Sequence, residues 1–254
     1  MRLRLVPRAP SRSSILTARH IRQIKQGGVL YVTIPEKHPV FSHLLEDAGY
    51  QVGYTGKGWG PGNLTAGGLS RDPIGKEYNE IQMKSAPGGI DVRDYAGHFD
   101  AFLSDRKDNA PFFFWFGYTE PHRVYEDGIG LKSGKKLADA TVPKFWPDTD
   151  LERSYILDYA YEIEWMDAHL QRMLDKLSQL GALDNTLVMV TSDNSMPFPR
   201  AKVNLYDHGI RMPLAIRWPK KIPAERVIDD FSSHIDLAPT FLEAANIAPP
   251  KEMI

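Results

Sequence analysis

Two patterns of apolar and polar positions alternate along the chain. Unbroken apolar runs of strand length stand at 112–116 (Phe-Phe-Phe-Trp-Phe) and 186–190 (Thr-Leu-Val-Met-Val). A strand covered on both faces reads this way, because neither side of its sheet meets water. Shorter strands are predicted at 51–54 and 213–217. Between the strands, apolar residues recur at helical spacing. After His38-Pro39, the residues Phe41, Leu44, Leu45 and Ala48 share one face, and Gly49 ends that helix. A second helix over 94–104 carries Phe99, Phe102 and Leu103. The longest spans 151–180, with a stripe of Ile156, Ala160, Ile163, Met166, Leu170, Met173, Leu174, Leu177 and Leu180 close to a 3.6-residue period. Thr149 and Glu152 have capping-box spacing at its start, and Gly181 suits the position after its end. A last helix starts at Asp236 and reaches Ala245.

Strands alternating with helices predict an α/β fold. The expected form is a three-layer sandwich with a mostly parallel central sheet, its central strands including 112–116 and 186–191. Residues 60–90 and 124–148 read as irregular loops. No repeat, low-complexity tract or linker divides the chain, so 1–254 reads as one domain.

Composition narrows the function. Of 254 residues, 42% are hydrophobic and 25% charged, as in ordinary globular proteins. A net charge of -1 carries no electrostatic footprint for nucleic acid. No apolar run approaches the roughly 18 residues of a membrane span. There are no cysteines, which removes disulfides and thiol chemistry and says nothing of compartment. The start, Met1 to Pro7, lacks the apolar core of a secretory leader. Asn63-Leu64-Thr65 is a glycosylation sequon, relevant only to a eukaryotic secretory route.

Candidate chemistry gathers where predicted strands end. Thr191-Ser192-Asp193-Asn194-Ser195-Met196-Pro197-Phe198-Pro199 follows the 186–190 strand, and Lys202 and Asn204-Leu205-Tyr206 come after it. Ligand sites of open α/β sheets collect at the carboxyl ends of strands. Asp193 and Asn194 offer hard oxygens of the kind Ca²⁺ and Mg²⁺ prefer, and Lys202 brings positive charge for an anion. Alone, such a pair is more often a turn. Lys57, in Thr55-Gly56-Lys57, and His122, in Glu120-Pro121-His122, also follow strands. An imidazole can lend a proton near neutral pH. Pro10-Ser11-Arg12-Ser13-Ser14-Ile15-Leu16-Thr17-Ala18-Arg19 reads on its own as a helix start, which favours anions.

These four segments, in this order from about Ala9 to the C-terminus, resemble sulfatases. The Met-Pro-Phe-Pro and Asn-Leu-Tyr flanks are most similar to the heparan N-sulfatase branch. The resemblance implies an alkaline phosphatase-like fold and Ca²⁺-dependent hydrolysis of sulfate esters or sulfamates. It implies a sulfated sugar or glycosaminoglycan fragment as partner, N-sulfoglucosamine favoured, and an exported protein (periplasmic, secreted or lysosomal). By the same resemblance Arg12 stabilises a hydrated formylglycine nucleophile. Lys57 binds the sulfate, His122 serves the leaving group, and Lys202 contacts sulfate or nucleophile. Asp193 and Asn194 are implied as Ca²⁺ ligands.

The departures carry as much weight. Arg8 stands where the family has the cysteine that becomes formylglycine, so this nucleophile is expected to be absent. Ser11 and Ser13 are off-register for its maturation. Trp59 stands where a histidine is common, Ala18 where a glycine is usual, and Lys202 where the N-sulfatase branch more often has arginine. The family's first metal ligands are two adjacent aspartates on an earlier strand, and only seven residues precede Arg8. The chain is therefore expected to be truncated at both ends, lacking the first strand and the C-terminal subdomain, with weakened Ca²⁺ binding and no turnover. Two other readings stay open. One is a phosphoryl-transfer relative in the alkaline phosphatase superfamily, against which the Pro10-Ser11-Arg12 segment argues. The other is a non-catalytic truncated product.

Overall fold

The computed structural model describes residues 9–29 and 31–253; Arg8 lies outside them. Three strands form one parallel sheet: β1 (Gln51–Gly56), β2 (Lys76–Glu77) and β3 (Phe112–Gly117), in the order β2-β1-β3. β1 and β3 run in full register from Gln51 opposite Phe112 to Gly56 opposite Gly117.

The apolar run of β3 explains the layering. Successive side chains of a strand point to opposite faces. Phe113 and Trp115 pack into a core built with the helices Ala9–Thr17, Phe41–Asp47 and Leu237–Ala244. Phe112, Phe114 and Phe116 face the other way, into a core with Tyr95–Ser104 and the long helix Asp150–Gln179. Helices thus cover both faces of the parallel sheet, as the unbroken hydrophobicity required. Phe102, fully buried, is the hub of the second core: its ring lies 4.8 Å from Phe114, 5.6 Å from Tyr78 and 5.9 Å from Phe112.

The helix boundaries follow their caps. Asp94 accepts the Gly97 N–H ahead of the 95–104 helix. Thr149 accepts the Glu152 N–H, so it caps the helix as the spacing predicted, but the Glu152 carboxylate takes the Thr149 hydroxyl in place of the backbone N–H of a full capping box. Gly181, at φ +64°, carries the chain out of the long helix.

Two expectations change. The segments 186–191 and 213–217 do not join the parallel sheet. They become β4 (Val188–Thr191) and β5 (Leu214–Arg217), an antiparallel pair with Thr191 opposite Leu214, while β3 pairs with β1 alone among the described residues. Parallel neighbours need a crossover that returns the chain to the far end of the sheet. Between β4 and β5 there is only a loop and a four-residue helical turn, Asp207–Ile210, so β5 starts beside the end of β4 and runs back.

The buried line of the long helix also differs from the predicted stripe. It is Leu157, Asp158, Glu162, Met166, His169, Met173 and Leu177, with Leu180 exposed. Ile156, Ala160, Ile163, Leu170 and Leu174 are half-buried. Of the three polar residues at the deepest positions, Asp158 and His169 meet polar groups there. Asp158 accepts the N–H groups of Gly128 and Gly130, and His169 faces Asp94 and the Ala96 N–H.

Truncating Phe102 to alanine removes the contact shared by β1, β3 and Tyr78. Phe102→Ala is expected to cost about 3–5 kcal/mol, read as a lowered urea midpoint at constant slope. A loss under about 1 kcal/mol would show that this core collapses around the gap.

Candidate active site

Two glycines let the ends of β1 and β3 touch. Gly56 sits at φ +74°, and a Cβ there would lie 2.2 Å from the Gly117 carbonyl oxygen. A Cβ on Gly117 would lie 1.9 Å from the Lys57 carbonyl oxygen. Their absence allows the Lys57 N–H to donate to the Gly117 carbonyl. Lys57 is thereby fixed at the carboxyl edge of the sheet, and its Nζ donates to the Thr119 carbonyl at 3.0 Å.

The loop after β3 is pinned from below. Glu120, buried, accepts the Asp91 N–H at 2.9 Å and the Tyr95 hydroxyl at 3.0 Å. Thr119 donates its N–H to that hydroxyl and its own hydroxyl to Asp91. The Thr119 carbonyl also accepts the His122 N–H at 3.2 Å. One carbonyl therefore ties Lys57 to His122. The His122 ring is exposed, with Nδ1 against the Arg123 carbonyl. A carbonyl only accepts, so Nδ1 carries the hydrogen in this contact.

Arg12 closes the arrangement from the first helix. Its guanidinium is nearly buried. Nε and Nη2 both meet Asp193 Oδ2, at 3.0 and 2.8 Å, and Nη1 donates to the carbonyls of Gly58 and Gly60 at 2.6 and 3.0 Å. Asp193 Oδ1 accepts the Asn194 side-chain amide. Lys202 lies half-buried in the same loop, its N–H on the Met196 carbonyl. A cavity of about 430 Å³ opens beside Arg12 and Lys57, walled by Tyr54, Trp59 and Glu77. Neither His122 nor Asp193 lines it, so it flanks the cleft.

The structure thus brings Arg12, Lys57, His122, Asp193 and Asn194 into one connected network. It also adds residues that the sequence did not single out. Glu162, on the long helix, is almost fully buried with no hydrogen-bond partner for either oxygen. Burial first, then Glu120, pushes its carboxyl up to about 8, while Lys57 pulls the other way. Tyr118 is pushed up to about 12, by burial and then by Asp193. His234, from the far end of the chain, is held down by burial while the Ser192 backbone and Asp193 pull it up. Neither Glu162 nor His234 follows a strand, and no local motif marks them. The one sequence signal for Glu162 is a carboxylate four positions before a core methionine on the same helical face.

The sulfatase family model matches residues 9–247. The chain belongs to the sulfatase family. It is 28% identical over 273 aligned residues to human N-sulphoglucosamine sulphohydrolase, covering 97% of this chain and 53% of that protein. It is 27% identical over 189 residues to an ulvan-active sulfatase of Formosa agariphila, covering 60% and 32%. The chain therefore spans about half, or less, of the length of these curated relatives. A solved structure in complex with D-glucosamine-2-N,6-O-disulfate superposes with a TM-score of 0.70 at 22% identity, over 96% of this chain and 68% of that one. The fold is that of the sulfatases, alkaline phosphatase-like.

Sulfatases generally use Ca²⁺. The side chains described here do not make up such a site. No group of three or more His, Cys, Asp or Glu able to hold a metal exists among the described residues. Asp193 already gives Oδ2 to Arg12 and Oδ1 to Asn194. A hard divalent ion needs about six to eight oxygens, and two side chains fall short. Calorimetric titration of Ca²⁺ is expected to show nothing as tight as micromolar; micromolar binding would mean that other oxygens complete the shell.

Glu162 gives a second test. Its folded carboxyl titrates near 8 and its unfolded one near the ordinary value, so between these the folded state holds the extra proton. Stability then falls as pH rises across that window, because the unfolded state binds fewer protons. Urea unfolding of Glu162→Gln from pH 5 to 8.5 is expected to lose most of this decline. An unchanged pH slope would show that Glu162 ionises normally.

Proposed function

We propose that this cleft is the anion site of a hydrolase for sulfate esters or sulfamates on sugars, with N-sulfoglucosamine the favoured ligand. The observation that carries the reading is the Arg12 fork onto Asp193, 181 positions away, with Nη1 on the carbonyls beside Lys57. Three segments distant in sequence are locked at one edge of the sheet. In this reading Lys57 and Lys202 offset charge on the sulfuryl oxygens. His122 supplies a proton to the departing oxygen or nitrogen. Asp193 and Asn194 are the hard-oxygen pair of the site. Residues 1–254 form part of the family's catalytic α/β domain in this reading. The similarity to human N-sulphoglucosamine sulphohydrolase over nearly the whole chain supports the sugar, as does the fold shared with a protein solved with a glucosamine disulfate.

Arg8 decides what such a site can do. Formylglycine forms by oxidation of a thiol or hydroxyl side chain, and a guanidinium offers neither. The chain is thus proposed to bind sulfated sugars without turning them over. Sulfate binding followed by calorimetry is expected to weaken roughly tenfold in Lys57→Ala, the loss of one charged hydrogen-bond donor. Neither N-sulfoglucosamine nor an aryl sulfate should be hydrolysed. Turnover of either by the unmodified chain would sink the proposed inactivity. Phenylphosphonate bound more tightly than sulfate would shift the assignment to a phosphoryl-transfer relative.

A further inference from the structure

Arg123 follows His122 and is exposed, yet three aromatic rings hold its guanidinium in place. Its Cζ lies 5.2 Å from the Tyr155 ring centroid, 5.6 Å from Tyr125 and 5.7 Å from Phe198. The rings come from three elements: the loop after β3, the first turns of the long helix, and the loop that carries Asp193. Phe198 is itself clamped between Trp146 at 5.1 Å and Tyr159 at 5.6 Å. Trp146 is anchored by its Nε1 on the Pro199 carbonyl. Arg123 therefore stands where the His122 loop and the Asp193 loop meet.

The way this cation is held is informative. A ring face attracts a guanidinium through its quadrupole and leaves the N–H edge uncommitted. None of the ion pairs among the described residues includes Arg123. Among these rings it is Tyr125 whose ionisation the Arg123 charge eases. A guanidinium has five N–H donors in a planar fork, so most remain for a ligand. Ordering so long a side chain costs rotamer freedom, and the rings have already ordered it. A planar fork held where these two loops meet suits an anion taken by two parallel N–H bonds.

We infer that Arg123 binds a second anionic group of the substrate, a sulfate or carboxylate on the sugar beyond the group that reacts. The inference rests on the reading of the Lys57–His122–Asp193 cleft as a sugar-sulfate site. It makes the favoured ligand at least doubly anionic. Arg123 sets which sugars bind and takes no part in bond cleavage.

The test compares three ligands by NMR titration or calorimetry: N-sulfoglucosamine, glucosamine 2-N,6-O-disulfate, and an N-sulfated disaccharide whose second anion is a uronate. The wild-type chain is expected to prefer a doubly anionic ligand by roughly tenfold. Preference for the disulfate assigns the second group as sulfate, and preference for the disaccharide assigns it as carboxylate. Arg123→Gln, which removes the charge and the guanidinium fork but keeps a polar side chain, is expected to abolish the preference and leave N-sulfoglucosamine binding unchanged. Tyr155→Leu, which removes one ring and keeps the charge, is expected to reduce the preference in part. Lys57→Ala should weaken all three ligands alike. If Arg123→Gln keeps the preference, or the wild type shows none, the inference is overturned and the cleft reading stands. If Lys57→Ala changes nothing while Arg123→Gln weakens the doubly anionic ligands, the cleft reading falls and the Arg123 anion site stands.

Discussion

The site hangs on one buried cation. Arg12 sits nearly out of solvent with its guanidinium directed at Asp193 and at two main-chain carbonyls. A charge in that position is tolerated only when it is paired and fully hydrogen-bonded. Meeting that condition forces three parts of the chain into fixed relation: the first helix, the glycine-rich loop after β1, and the loop after β4. Removing one partner would leave the other buried and uncompensated, so the ion pair acts as a positional constraint more than as a source of stability. β4 shares no ladder with the parallel sheet, and this contact is one of the few polar links that tie its loop to the rest.

Much of the fold was legible because a strand that is apolar on both faces leaves little ambiguity about its surroundings. The run at 112–116 demanded apolar cover on both faces, and its side chains alternate between the two cores. The caps at Asp94, Thr149 and Gly181 were equally readable, since each satisfies backbone groups that the helix itself cannot. Two features were not legible. Strand direction depends on where a connection returns the chain, and the run at 213–217 looks the same in either sense. The deepest face of the long helix was misplaced because hydrophobic periodicity assumes that burial selects apolar residues. Asp158 and His169 are buried because polar partners on other elements reach them there.

The site divides in the same way. Arg12, Lys57, His122 and Asp193 were visible because each lies in a segment with its own local character: a Pro-Ser-Arg helix start, a Gly-Lys turn, a Pro-His after a buried strand, an acid-amide pair at a strand end. Glu162, His234 and Arg123 were invisible because their significance is wholly tertiary. His234 reaches the Ser192 backbone from more than forty residues away in sequence. Arg123 gains its position only when three rings from three elements close around it.

Charge balance explains why a carboxyl without partners is tolerated behind an anion site. Arg12 is neutralised by Asp193, so the positive field of the cleft falls to Lys57, with Lys202 and Arg123 further out. Glu120 already lies close by, its carboxylate held by Asp91 and Tyr95. A second ionised carboxylate at 162 would offset Lys57 and repel an incoming sulfate. Burial and Glu120 together lift the Glu162 carboxyl to about 8, so at neutral pH it keeps its proton. It then fills space beside Lys57 without cancelling its charge. The desolvation that makes an ionised Glu162 unfavourable for folding thus also keeps a second negative charge away from Lys57.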